Sequence, residues 1–412
     1  MRVGDASHRA AQTGAILDAC TRLGFVAAGV ARAEPSRWER EFRQWLAAGK
    51  HGSMAYLSEN VEQRLDIRRM MRGAASVVMV ADRYATRSDG PDPDPPPGFG
   101  RVARYARGRD YHVAIKKRLR KLLNRLHREF PGHMFRPFID LLPMLEREHA
   151  HRAGLGWTGK NTMLIHPRLG SYLLLGGFVT TLELEPTPEA DRVPDHCGTC
   201  SRCIDACPTR AITAYSVDAS RCISYLTIER RGLIEIEVHA AIGDRVFGCD
   251  VCQEVCPHNS LRTETMLAST PESDAVLDAY RSRFPKLDLL KVLGWSEAEE
   301  RAAHEGSALK RAFLDGLKRN ALIVMTNQLL SSAPTGDART SENIRRLISA
   351  AAVDPVVSDT VRATAAQCLA RLDALEKHET KPANIPVRGP ASSTISNAHV
   401  LPDPDSSTLP GA

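Results

Sequence analysis

The sequence predicts an α+β protein, and three observations carry that prediction. Helical and strand-like patterns mix through residues 10–185. Eight of the ten cysteines then crowd between Cys197 and Cys256. From Leu287 onward only helical periodicity appears. Mixed elements, then a cysteine-rich run, then helices alone call for different layers of structure in sequence. The expected units are 1–185, 186–262, 263–375 and a polar tail over 376–412. A chain of 412 residues, 43% of them hydrophobic, can fill more than one core.

The elements follow in order. Ile16, Leu17, Cys20 and Leu23 make a helical stripe that Gly24 ends, and Phe25–Val30 is expected as a buried strand. A second helix is expected over Glu39–Ala48, and a second buried strand over Ala75–Ala81. Arg83–Gly100 is proline-rich and is expected to be a loop. Tyr111–Phe130 is the clearest helix: Ile115, Leu119, Leu122, Leu123, Leu126 and Phe130 fall on one face. Strands are expected over Phe135–Leu142, Thr162–Ile165 and Tyr172–Thr180. Leu309–Asn327 and Ile344–Leu372 are expected to be helix pairs of a HEAT-like repeat. The tail from Glu376 is rich in Pro, Ser, Thr and Asn, which predicts disorder.

Charge and cysteine usage narrow the function classes. No apolar run approaches the roughly 18 residues that span a bilayer, so no membrane partner is expected. Met1–Ala11 is polar and has no apolar signal core, which predicts a cytoplasmic location. The cysteine density is not that of a secreted disulfide scaffold, and in a reducing compartment clustered thiols ligate metal. Cys20 and Cys368 stand apart and are expected to be buried small hydrophobes.

The run Cys197-Gly-Thr-Cys200-Ser-Arg-Cys203-Ile-Asp-Ala-Cys207-Pro208 has the C-x2-C-x2-C-x3-C-P spacing of bacterial ferredoxins. A second run is Cys249-Asp-Val-Cys252-Gln-Glu-Val-Cys256-Pro257, with Cys222 between the two. Eight thiolates suit two 4Fe-4S clusters. In this pattern the fourth cysteine of a run points to the other cube. Cys197, Cys200, Cys203 and Cys256 are therefore expected on one cluster, and Cys207, Cys222, Cys249 and Cys252 on the other. The alternative is structural zinc, which paired C-x2-C elements also bind but which does not call for the longer run.

Upstream, Gly154, Gly156 and Gly159 surround Trp157 and precede Lys160 and Asn161. Such glycines let a backbone approach a flat or phosphorylated ligand, or else make a tight turn. Between Arg101 and Arg136 twelve Arg or Lys residues face only Asp110 and Glu129. This is a candidate contact for RNA phosphates, and equally the solvated face of an amphipathic helix. Lys310, Arg311, Lys318 and Arg319 form a second candidate patch.

Several blocks, in order over residues 10–375, resemble the epoxyqueuosine reductase family. They are Arg104–His112, Asp140–Arg147, Ala153–Asn161, both cysteine runs, Cys222–Glu229, and Lys310 through Ala321. The resemblance implies a cobalamin held in the N-terminal unit beside the clusters. It implies reduction of epoxyqueuosine to queuosine at the wobble position of tRNA. It further implies Asp140 as proton donor and Arg64, Tyr105, Asp140, Lys160, Asn161, Ser171 and Ser224 as cobalamin contacts. The expected partners are tRNA and an unidentified reductant, and the expected state is a monomer. One departure stands out: the family has a small or hydroxylated residue after the aspartate, where this chain has Leu141-Leu142 before Pro143. Removing an epoxide oxygen as water takes two electrons and two protons, so Asp140 must hold a proton near neutral pH. Burial against Phe138, Leu141 and Leu142 is the expected means. The alternatives are a corrinoid reductase of the dehalogenase type and a plain ferredoxin-like electron carrier. Corrin absorption bands would exclude the plain carrier.

Overall fold

The computed structural model describes residues 3–86, 89–90, 92–140, 142–260, 277–331 and 338–379. The first stretch contains α1 (Val3–Arg22), β1 (Ala27–Arg32), α2 (Glu39–Ala47), α3 (Val61–Leu65) and β2 (Ser76–Arg83). It continues with β3 (Phe99–Val102), α4 (Tyr111–Glu129), β4 (Phe135–Phe138), α5 (Glu146–Arg152), β5 (Trp157–Thr158), β6 (Leu164–Ile165) and β7 (Leu173–Thr180).

Four strands form an antiparallel sheet in the order β1-β2-β7-β4. Every residue of β2 is buried, because the sheet is covered on both faces. Val78 and Val80 pack with Ile16, Phe25, Ile115 and Leu119, toward α1 and α4. Val77, Met79 and Ala81 pack with Met71, Phe138, Ala150 and Leu155, toward α5. Two covered faces explain why β2 is a continuous apolar run rather than an alternating one. Helix α4 lays Ile115, Leu119, Leu122, Leu123 and Leu126 on the sheet. Each such burial stabilises by roughly 1.5–3 kcal/mol. Asp110 caps its first turn, accepting from the His112 N–H at 3.0 Å. On the other face Gly29 of β1 touches α5 so closely that a Cβ would lie 2.0 Å from the Ala153 carbonyl oxygen. The absence of a side chain there sets the height of α5 over the sheet.

The cysteine-rich stretch adds α6 (Arg202–Asp205), β8 (Ile212–Thr213), β9 (Ser216–Val217), α7 (Ile223–Ile228), α8 (Ile236–Ile242), β10 (Arg245–Phe247) and α9 (Val251–Glu254). After it come β11 (Lys286–Asp288), α10 (Leu289–Gly294), α11 (Glu297–Ala303), α12 (Leu314–Leu330), α13 (Ala338–Val353) and α14 (Asp359–Glu379). The end of the expected 83–100 loop is in fact the start of β3. It pairs in parallel with β10 and antiparallel with β11. One small sheet thus joins the N-terminal, cysteine-rich and C-terminal stretches. Helix α12 is buried on nearly every side, as an apolar helix without a polar face must be. Its Asn320 donates to the carbonyls of Thr227 (2.8 Å) and Val246 (2.9 Å). Cys20 and Cys368 are fully buried, as expected.

Two expectations need correction. The strand expected over Phe135–Leu142 stops at Phe138, because the chain turns at Asp140 with φ of +45°. The C-terminal helix runs on to Glu379, past the expected boundary at 376. The rest of the tail, and Leu141, lie outside the described residues. Among the described residues no helix is long and apolar enough to cross a membrane.

Candidate active site

Asp140 stands just beyond β4, whose pairing with β7 ends at Phe138 opposite Gly177. Ile139 turns into the core beside α4, and Asp140 takes the left-handed conformation that Asp tolerates better than most residues. Its N–H donates to Glu146 Oε1 of α5 at 2.8 Å. Its side chain is 46% exposed. The Tyr111 hydroxyl donates to Oδ2, and His112 Nε2 is 2.8 Å from Oδ1. His112 Nδ1 is 2.7 Å from Asp110 Oδ1, and Lys310 forms an ion pair with the same buried Asp110.

The electrostatics follow from those contacts. Burial opposes a charge on His112, but the hydrogen bonds to Asp110 and Asp140 outweigh it and lift the imidazole to about 9. Burial would also raise Asp110, yet the bonds from His112 and Lys310 hold it well below the usual carboxylate range. Burial, then the facing Asp140 charge, lifts Glu146 to about 7. Burial, with Asp140 beside it, keeps the Tyr111 hydroxyl firmly protonated.

The expected apolar burial of Asp140 is therefore corrected. Phe138 and Leu142 pack into the core beneath α5. Among the described residues, two polar donors, Tyr111 and His112, flank the carboxylate. Asp110, Tyr111, His112 and Glu146 were not singled out by the sequence reasoning. The signal available was Asp110 two residues before His112 at the start of a strong helix, which aims both at the turn after β4.

Two of the expected cofactor contacts lie on this side. Tyr105 sets its ring edge-on to Tyr111, 6.4 Å between centroids, and tilted against Phe247 at 6.2 Å. Arg64 of α3 donates to the Tyr56 carbonyl at 3.2 Å and is close enough to Glu146 to feel its charge. Its Nε is buried with no acceptor among the described residues.

The other four sit against the cysteine runs. Lys160 Nζ donates to the carbonyls of Gly198 (2.6 Å) and Cys200 (3.1 Å). Asn161 Nδ2 donates to Cys252 O at 3.1 Å. Ser171 is buried, donating to Gln253 Oε1 at 3.0 Å and accepting from Asn259 Nδ2 at 2.8 Å. Ser224 Oγ reaches Cys249 O at 3.5 Å. The glycines nearby serve the fold: a Cβ on Gly156 would lie 2.2 Å from the Ile165 carbonyl oxygen across the β5–β6 hairpin. The tight-turn alternative is the one the structure favours.

None of the ten cysteines is joined in a disulfide. The eight clustered ones fall into two groups by mutual electrostatic influence. Cys256 feels Cys197, Cys203 and Cys200. Cys222 feels Cys207, and Cys252 feels Cys249 and Cys222. Cys252 also feels Cys203, so the groups adjoin. A cavity is lined by Cys197, Cys200, Cys203 and Cys256 together with Lys160 and His258. Burial pushes Cys249 up to about 12 and Cys256 to about 11.

The basic patches shrink on inspection. Arg101, Arg104 and Arg107 turn inward onto Asp92, and Arg118 pairs with the buried Asp82. Lys116, Lys117, Arg120, Lys121 and Arg128 of α4 remain exposed. In the second patch Arg319 is buried and donates to the carbonyls of Leu226, Arg230 and Gly232.

Comparison with known proteins agrees with this layout. Residues 196–259 match the family model of the 4Fe-4S double cluster binding domain. Residues 64–140 match the model described as epoxyqueuosine reductase QueG, DUF1730. An epoxyqueuosine reductase of Pseudomonas aeruginosa is 38% identical over 309 residues, 74% of this chain and 82% of that one. One from Leadbetterella byssophila is 37% identical over 308 residues, 73% of this chain and 94% of that one. The fold is shared with a crystal structure of an epoxyqueuosine reductase bound to an epoxyqueuosine-modified tRNA-Tyr stem loop. That match has a TM-score of 0.73 and 24% identity, covering 90% of this chain and 94% of that one. On these relatives, the chain belongs to the epoxyqueuosine reductase family.

Proposed function

We propose that this protein reduces the epoxide of epoxyqueuosine in tRNA to the alkene of queuosine, with two 4Fe-4S clusters and a cobalamin as cofactors and Asp140 as proton donor. The observation that carries the reading is an open carboxylate bonded to Tyr111 and His112, in a chain that also gathers eight cysteines outside any disulfide into two adjoining sets. The reaction consumes two electrons and two protons and releases one water. Asp140 presents its carboxyl at the exposed end of this array. His112, charged at neutral pH, holds a proton at Nε2 against Oδ1, and Asp140 can pass that proton on to the departing oxygen. Tyr111 fixes the other carboxyl oxygen.

Cys197, Cys200, Cys203 and Cys256 hold one cluster, and Cys207, Cys222, Cys249 and Cys252 the other. Cobalamin, held by Arg64 and Tyr105, would supply a redox-active metal centre able to take single electrons. The residues present fit it at one informative point: the unused buried Nε of Arg64 suits the amide-bearing rim of a corrin. Arg64 and Tyr105 are assigned to hold it, facing Asp140. Lys160, Asn161, Ser171 and Ser224, whose hydrogen bonds run to the cysteine-rich stretch, are assigned to the cluster-facing side of the cobalamin. The exposed lysines and arginines of α4 are assigned to tRNA phosphates, and α12–α14 are assigned as a HEAT-like support.

Expression in cells that lack their own epoxyqueuosine reductase tests the reading. Queuosine should reappear in their tRNA. Continued accumulation of epoxyqueuosine, with the protein present and its iron bound, would overturn it.

A further inference from the structure

We propose that Glu146 is a positioning residue that latches the Asp140 turn, holding the carboxyl group in reach of Tyr111 and His112. The inference rests on Asp140 being the reacting acid. Three observations carry it. The Asp140 backbone is left-handed, at φ +45°, which is strained for a residue other than glycine and needs a compensating contact. The Asp140 N–H is donated to a carboxylate oxygen, Glu146 Oε1, at 2.8 Å. A hydrogen bond to a charged acceptor is stronger than one to a neutral oxygen. Glu146 itself is anchored, because it opens α5 and α5 is seated on Gly29 and the sheet. The latch therefore ties a strained turn to a fixed helix, and the side chain of Asp140 inherits that fixed origin.

The latch is also poised to respond to pH. The groups facing Glu146 are Asp140 on the turn, Arg64 from α3, Arg147 from its own helix and Tyr111 from α4. Burial and the Asp140 charge place its titration at about 7, the two arginines opposing them. Ionised Glu146 is the better acceptor, so the turn tightens as pH rises through that value. It loosens below it, where the neutral carboxyl accepts weakly.

Amide hydrogen exchange on the iron-loaded protein tests the latch without requiring turnover. Glu146→Ala should abolish protection at the Asp140 amide. It should also lower kcat on the order of 10²-fold with little change in KM for tRNA, since a displaced acid misaligns the reaction rather than the binding. Glu146→Gln keeps a neutral acceptor and guards against a variant that merely fails to fold. It should show partial protection and lose the step that wild type shows between about pH 6 and 8, once intrinsic exchange is corrected. Wild-type protection at Asp140 in Glu146→Ala, or an unchanged pH step in Glu146→Gln, would overturn the proposal. Absence of wild-type turnover on epoxyqueuosine tRNA would instead overturn the function, and the exchange result would still decide the latch.

Discussion

His112 Nε2 lies 2.8 Å from Oδ1 of Asp140, and its second nitrogen is spent on the buried Asp110. One imidazole between two carboxylates keeps its proton well above neutral pH. His112→Gln should therefore slow reduction on the order of 10²-fold. Cluster absorption should be unchanged. Single-turnover kinetics on modified tRNA measure the first and the visible spectrum the second.

The same histidine links stability to pH. Its pKa is near 6.5 when unfolded and about 9 when folded. A raised pKa stabilises fully below the unfolded value, and the benefit is lost as pH rises through the folded one. Allowing for its partial exposure, the effect is on the order of 1 kcal/mol. Urea unfolding from about pH 6 to 9.5 should show wild type losing this increment and His112→Gln losing none of it.

The cysteine sets make separable predictions. Cys256→Ala should cost the cluster of Cys197, Cys200 and Cys203. Cys222→Ala should cost the other. Each should lower anaerobic iron content from about eight to about four atoms per chain. Loss of all iron in both variants would mean that the clusters assemble only together.

Much of this was legible in the sequence. The periodicity of α4 and the buried run of β2 are local signals, and each led to the right element. The spacing of the cysteine runs is local too, and it falls within the stretch that matches a double-cluster family model. What was not legible depends on long-range geometry. β3 is four residues long at the end of a proline-rich stretch, and it is a strand only because β10 and β11 arrive beside it. The Asp140 partners come from the start of α4 and the start of α5, about 28 and 6 residues away along the chain. Charge counting also overstated the basic surface, since Arg101, Arg104, Arg107 and Arg319 spend their guanidinium groups inside the protein.

The exposed cations of α4 give a graded prediction. Lys116→Glu, Lys117→Glu and Lys121→Glu together should weaken tRNA binding about tenfold or more at low salt. The slope of log affinity against log salt should fall by roughly 0.7–0.9 for each phosphate that the helix no longer neutralises. Iron and cobalamin content should stay at wild-type levels.

Gly29→Ala tests how firmly the sheet sets α5. A methyl group there would meet the Ala153 carbonyl oxygen at 2.0 Å. Stability should fall by about 2–3 kcal/mol. Turnover should fall more than stability alone explains, because α5 carries Glu146. Thermal unfolding and kcat measured on the same preparation separate the two effects.

The most direct test is anaerobic turnover by purified protein carrying iron and cobalamin, on tRNA that contains epoxyqueuosine, read as nucleosides by mass spectrometry. Wild type should convert epoxyqueuosine to a product lighter by one oxygen atom, and Asp140→Asn should lose at least about 10²-fold in rate while keeping both cofactors. Unchanged epoxyqueuosine with the loaded wild type, or full turnover by Asp140→Asn, would contradict the account.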